Sequence, residues 1–186
     1  MPPAPGPGDD VVVAAVTVPY FPQLMDNWCW AATIEMVVAA IAGQNPRQCV
    51  LANQEFQRED CCPTKPACDQ GAPLTSFAGI LMNWGIDSRR INRPLLFNDV
   101  LQQVNAGRPI IYNLTFTVQN DEVYHTGIIA NAYQASNGDQ YVFFLDSDEK
   151  FFQAAGRDPY GWVKYADILN AYGYPGNWTD TIYDIH

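Results

Sequence analysis

The order of apolar and polar positions divides the chain into two halves. In the first half, apolar residues recur at helical spacing. Trp30, Ile34, Val37, Val38 and Ile41 fall at i, i+4, i+7, i+8 and i+11, one face of an amphipathic helix over 28–42. Asp26 or Asn27 can cap its start, and Gly43 is a natural stop. A second helix is expected over 47–56. A third follows from Leu74, Phe77, Leu81 and Trp84, which share a face and end at Gly85. A shorter fourth spans 97–105 and is stopped by the Ala-Gly-Arg-Pro run after it.

The second half changes period. Residues 109–118, 124–133 and 140–148 are rich in β-branched and aromatic side chains and read as strands. The Asn137-Gly138 pair favours a tight turn between the last two. Residues 161–169 start as a strand and end as a helical turn. Near the N-terminus, 11–18 also reads as a strand, after a Pro- and Gly-rich stretch over 1–10 expected to be a disordered leader. Helices first and an antiparallel sheet second predict an α+β fold. One domain over 11–186 is expected, with a helical lobe over about 19–95 against a sheet lobe over about 96–186. No internal repeat is visible.

The composition permits a real core: of 186 residues, 48% are hydrophobic and 13% aromatic. The net charge of −10, with only ten Lys and Arg spread along the chain, argues against nucleic-acid and anionic-lipid partners. No apolar run approaches the ~18 residues of a membrane span. Residues 11–18 also lack the basic flank of a secretory signal.

Cysteine placement changes the picture. Cys49, Cys61, Cys62 and Cys68 cluster, and Cys29 stands apart. Their spacing is not that of a zinc site, and no histidine lies nearby, so no metal is expected. Two disulfides fit better. Bridging the adjacent Cys61 and Cys62 would strain the bond, so Cys49 is expected with one of the pair and Cys68 with the other. Such staples imply a secreted or periplasmic location.

Cys29 is then the odd thiol, in the first turn of the first helix. The positive end of a helix dipole favours a thiolate there. A cysteine nucleophile needs a base, and the chain has two histidines. His186 is terminal, which leaves His125 on the second sheet-lobe strand. A third group must orient the imidazole. Asp146 and Asp148 stand at the end of the return strand with like parity, so alternation does not separate them. Asp146 is preferred because it directly ends the apolar run. Oxyanion donors would be the backbone N–H of Cys29 and the side-chain amide of Gln23. Trp28 and Trp30, which flank the cysteine, read alone as core aromatics.

At these residues the sequence resembles the papain-like cysteine proteases, most of all their short bacterial branch with staphopain-like and secreted effector enzymes. VPYFPQLMDNWCWAATIEM is similar to the family's Q-x5-C-W segment, which implies Gln23 as oxyanion donor and Cys29 as nucleophile. GRPIIYNLTF followed by YHTGIIANAY resembles the histidine segment, and YVFFLDSD the strand ending in the orienting Asp. The family pattern departs at Thr126, which stands where a larger apolar residue follows the histidine. GWVKY resembles a segment packed near the active site, which implies Trp162 as a shield. Trp28 and Trp30 are further candidates for substrate contact.

The resemblance implies a two-lobed fold with the site between lobes and no cofactor. It implies a protein or peptide substrate; an inhibitor or immunity protein is a further candidate partner. The activity expected is that of a cysteine endopeptidase of secreted toxin or effector type. Two alternatives stand beside it: amidase, deamidase or transpeptidase chemistry on the same triad, and a non-enzymatic, disulfide-stapled binding module.

Overall fold

The computed structural model describes residues 6, 10–11, 17–154 and 156–186. Most of the leader and of the strand expected over 11–18 lie outside them. Of that strand, Val11 belongs to a two-residue β1 (Asp10–Val11), and 17–18 are irregular.

The helical half follows the apolar periodicity. Helix α1 (Cys29–Ala42) buries Trp30, Ile34, Val37 and Val38, and Gly43 ends it in the left-handed conformation at φ 63°. The expected side-chain cap is not made. Asn27 instead donates its backbone N–H to Asp69 Oδ1 at 2.8 Å, and Asp26 pairs with Lys150 at 2.7 Å. Both residues are drawn outward to tie neighbouring loops, which leaves the first turn of α1 without a side-chain cap. Helix α2 (Gln48–Phe56) and helix α3 (Leu74–Asn83) pack beside α1. Two disulfides, Cys49–Cys62 and Cys61–Cys68, staple the loop between them. That is the pairing in which the adjacent cysteines go to different partners. Asp60 stands beside the Cys61–Cys68 sulfurs, but bridged sulfurs are not thiolate ligands for a metal.

The sheet is antiparallel, in the order β2-β7-β3-β4-β5-β6, with β1 pairing β4 off this path. Its members are β2 (Arg89–Ile91), β3 (Ile110–Val118), β4 (Asp121–Gln134), β5 (Gln140–Asp146), β6 (Tyr160–Lys164) and β7 (Gly176–Tyr183). Strands β2 and β7 are additions to the sequence reading. Because β2 pairs with β7, the sheet reaches into the 19–95 segment assigned to the helical lobe.

Both faces of the sheet are covered. One core joins α1, α2 and α3 to Ile111, Ile128, Leu145 and Ile182. On the opposite face, Tyr112, Leu114, Phe116 and Phe144 pack with α4 (Phe97–Asn105), α5 (Glu149–Ala154) and α6 (Tyr165–Leu169). The middle of β4 is therefore buried on both sides, from His125 to Ala130. Among the described residues no helix is long and apolar enough to cross a membrane.

Candidate active site

Cys29 is the first residue of α1, and its side chain is half-buried. Helix α1 packs on β4, which brings that thiol to His125 and Thr126. His125 Nε2 lies 2.7 and 2.8 Å from the two Asp146 carboxylate oxygens, so its other ring nitrogen is the one left for the Cys29 sulfur. Cys29, His125 and Asp146 are thus in one chain of contacts. The strand ends at Asp146, and the backbone turns away after it. The parity argument fails there, and Asp148 instead accepts the Phe151 N–H at 3.0 Å at the start of α5.

The electrostatics of this chain favour charge on both partners. Burial alone would raise the Cys29 pKa; hydrogen bonds and charge from His125, with bonds from the Thr126 backbone and side chain, outweigh it and hold the thiol below its ordinary value. Burial alone would lower the His125 pKa. The Asp146 charge and hydrogen bond, joined by Cys29, reverse this and hold it well above the ordinary imidazole value. Both shifts favour the thiolate and imidazolium forms of the pair.

Several groups at the site carry no motif. Asp146 is fully buried, and its Oδ1 also accepts the Asp148 N–H at 3.0 Å. The Tyr112 phenol approaches Oδ2 at 3.4 Å and pairs with the Tyr172 hydroxyl at 2.7 Å. Burial, then Tyr172 and Asp146, raise the Tyr112 pKa well above 10, so the phenol remains a donor. Thr126 Oγ1 lies 3.1 Å from Thr33 Oγ1, and both residues are buried. Thr33 is four residues after Cys29, one helical turn on, which a helical reading of the segment could have noted.

Gln23 is placed beside the site. Ser147 accepts its backbone N–H at 2.9 Å and donates a hydroxyl to its Oε1 at 3.2 Å. Its Nε2 donates to Asp26 O at 2.9 Å. The loop is fastened on both sides of Gln23 by Gln48, which donates to Pro22 O and accepts from the Leu24 N–H, both at 2.9 Å. Gln48 also donates to the buried Glu35, whose pKa burial raises against the effect of that bond. Gln23 lines a small groove with Ser147 and Lys150, next to the cleft rather than within it.

The main cleft, about 570 Å³, lies between Cys29, Trp30 and the 71–77 segment on one side and Asn113 with the His125 region on the other. Trp30 forms part of its wall but is almost fully buried, with its indole N–H on Gln70 O at 3.0 Å. Trp28 does not line it. Its ring is in the core and donates to Cys68 O at 2.6 Å, so the flanking tryptophan reads as an anchor for the stapled loop.

Trp162 stands apart from the cleft. Strand β6 is two places from β4, about 10 Å away at ordinary strand spacing. Its ring packs edge-on against Tyr133 at 4.9 Å and Phe143 at 5.4 Å, away from the triad. The ring that lies over His125 is Phe151 on α5, nearly parallel at 6.4 Å between centroids.

The Thr126 hydroxyl yields a first prediction. Thr126→Val keeps the shape and removes one donor to the sulfur. The pH profile of Cys29 alkylation should move to higher pH, with a rate near pH 6 lower by about tenfold. An unmoved profile would remove Thr126 from the account.

A cysteine at a helix start facing a strand-borne histidine, in a cleft between helices and an antiparallel sheet, defines a papain-like cysteine protease domain. Residues 15–177 match the model of the Peptidase C39-like family, and the chain belongs to that family. Solved structures share the fold. The peptidase domain of Streptococcus ComA, a bifunctional ABC transporter involved in quorum sensing, matches with a TM-score of 0.56 at 13% identity, over 91% of this chain and 98% of that one. A double glycine motif protease from an AMS/PCAT transporter, in complex with its leader peptide, matches at 0.52 and 15%, over 94% and 95%. UfSP from C. elegans matches at 0.54 and 11%, over 100% of this chain and 35% of that one. No curated protein matches the chain.

Proposed function

We propose that this member of the C39-like family hydrolyses peptide bonds through Cys29, His125 and Asp146. The observation that carries the reading is the continuous contact from the half-buried thiol, through the imidazole, to a fully buried carboxylate at 2.7 Å. The Cys29 thiolate adds to the scissile carbonyl carbon, and the carbonyl electron pair moves to oxygen. The Cys29 N–H has no intrahelical acceptor in the first turn of α1 and is assigned to that oxyanion. The second hydrogen of the Gln23 amide is assigned with it. The tetrahedral species collapses, and the departing nitrogen takes the proton from His125, leaving a thioester. His125 then deprotonates a water that attacks the thioester. The acid leaves, and the thiolate returns.

A peptide substrate fits an open cleft of this size, and the related AMS/PCAT protease holds a leader peptide. The two disulfides support a working place outside the reducing cytoplasm, secreted or periplasmic. A toxin or effector role, the staphopain-like branch, and an inhibitor or immunity partner rest on the sequence resemblance alone.

Digestion of a defined peptide mixture between pH 4 and 10, read by mass spectrometry, tests the proposal. New termini are expected, with kcat/KM rising as Cys29 loses its proton, below the ordinary thiol pKa. The rate should fall again as His125 loses its proton, above the ordinary imidazole pKa. Ammonia release without new termini would replace peptidase by amidase chemistry. An intact mixture with an ordinary Cys29 thiol would end the enzymatic reading.

A further inference from the structure

We infer that a second, aromatic pocket on the far side of His125 receives the side chain of the residue immediately after the scissile bond, and that this residue is large and apolar. The inference rests on the peptidase reading of the site.

The main cleft and this pocket share Val123, His125 and Asp148, so they are continuous across the imidazole. Cys29 lines the first and not the second. The chemistry fixes which part of a substrate belongs there. The carbonyl carbon must meet Cys29, and the departing nitrogen must lie within a hydrogen bond of His125. The α-carbon of the next residue is one bond from that nitrogen, so its side chain is the one delivered beside the imidazole.

The walls are apolar. Phe116 of β3, Phe151 of α5 and Tyr174 pack around one another with centroids 5.1 to 6.2 Å apart. Leu114 of β3 and Val123 of β4 also line the pocket. Val118 and Tyr174, at 36% and 37% exposure, stand at the solvent side. The volume, about 250 Å³, lies below the range of roughly 300–1,000 Å³ typical of small-molecule sites. It suits one large side chain. Asp148 is the acidic group among the lining residues and disfavours an acidic occupant. Phe151 stacks on His125 and also faces the pocket, so an occupant that fills the pocket helps keep water from the proton-transferring ring.

The test is the residue distribution on each side of the cut in a mixture of peptides varied at every position. It is read for the wild-type protein, Tyr174→Ala and Val118→Glu, two substitutions at partly exposed positions that spare the core. In wild type, Leu, Met, Phe, Tyr and Trp should exceed Gly and Asp after the cut by about tenfold or more. Tyr174→Ala should reduce that ratio about threefold or more. Val118→Glu should reduce it similarly and raise Lys and Arg there. Preferences before the cut should stay the same in all three. A flat distribution after the cut, or a preference that both variants leave unchanged, overturns the pocket while the peptidase reading stands. No cleavage of any peptide by an alkylatable wild type overturns both.

Discussion

Replacing Cys29 with alanine is expected to lower kcat/KM on a cleaved peptide by about 10⁵-fold or more, and His125→Ala by about 10³- to 10⁴-fold. The two losses should not add: with the nucleophile gone, the histidine has nothing to activate, so the double variant should match Cys29→Ala. Folding should survive. Cys29 is half-buried at a helix start, and alanine is the better helix former there. Thermal unfolding of Cys29→Ala close to that of wild type would separate chemistry from structure. His125→Ala gives a second readout. Without the imidazolium, burial and the Thr126 bonds are what remain around the sulfur, so the Cys29 pKa must rise. Intact-mass alkylation should then need higher pH. If His125→Ala left both the turnover and that profile untouched, the pair would not be coupled, and the catalytic assignment would fall with it.

The legible part of this molecule was written in periodic segments. Helix α1 was visible because five apolar residues fit one face. Strands β3, β4 and β5 were visible because branched and aromatic side chains predominate through a layer buried on both faces. Strand β7 was not. Polar Asn177 precedes its buried Trp178, polar Thr179 and Asp180 separate that residue from the buried Thr181, and no turn pair introduces it. The three residues of β2 begin with two exposed arginines, and pairing with β7 rather than apolar alternation defines them. Helix α5 has six residues, too few for a periodic signal, although Asp148 before Glu149 offered a start signal.

The candidate site was legible where a chemical type is rare. Two histidines and one unclustered cysteine leave few pairings. Threonines and tyrosines are common, and their roles depend on long-range register. Nothing in the sequence could place Thr126 on the sulfur or Tyr112 beneath Asp146. Nor could it show that a strand end re-aims Asp148, or that β6 carries Trp162 two strands away from the histidine.

The register also accounts for the residue pair after the histidine, where the family pattern is broken. Thr126 faces α1 and meets Cys29 and Thr33. Gly127 is opposite Tyr112 on one neighbouring strand and Asp146 on the other. The Tyr112 phenol crosses directly over Gly127 to approach the carboxylate. A Cβ on Gly127 would lie 2.2 Å from the phenol oxygen, 2.5 Å from Cζ, and 2.9 Å from the Leu145 carbonyl oxygen. The first two contacts require the fully buried ring to move, and the third requires a shift between β4 and β5. Gly127→Ala is therefore expected to cost about 3 kcal/mol or more in urea unfolding, well above an ordinary surface substitution. Because His125 is two residues away and Asp146 is the direct partner, the surviving folded protein should also lose activity. Adding Tyr112→Leu removes the ring from that space. It should return part of the stability lost in Gly127→Ala, but less of the activity, since the donor to Asp146 is gone as well. A double variant no more stable than Gly127→Ala would move the cause to the Leu145 carbonyl. A Gly127→Ala protein with wild-type stability and turnover would mean that the phenol does not lie across this glycine. Stability and turnover are then read at a single glycine, because the tyrosine that requires it also borders the carboxylate orienting His125.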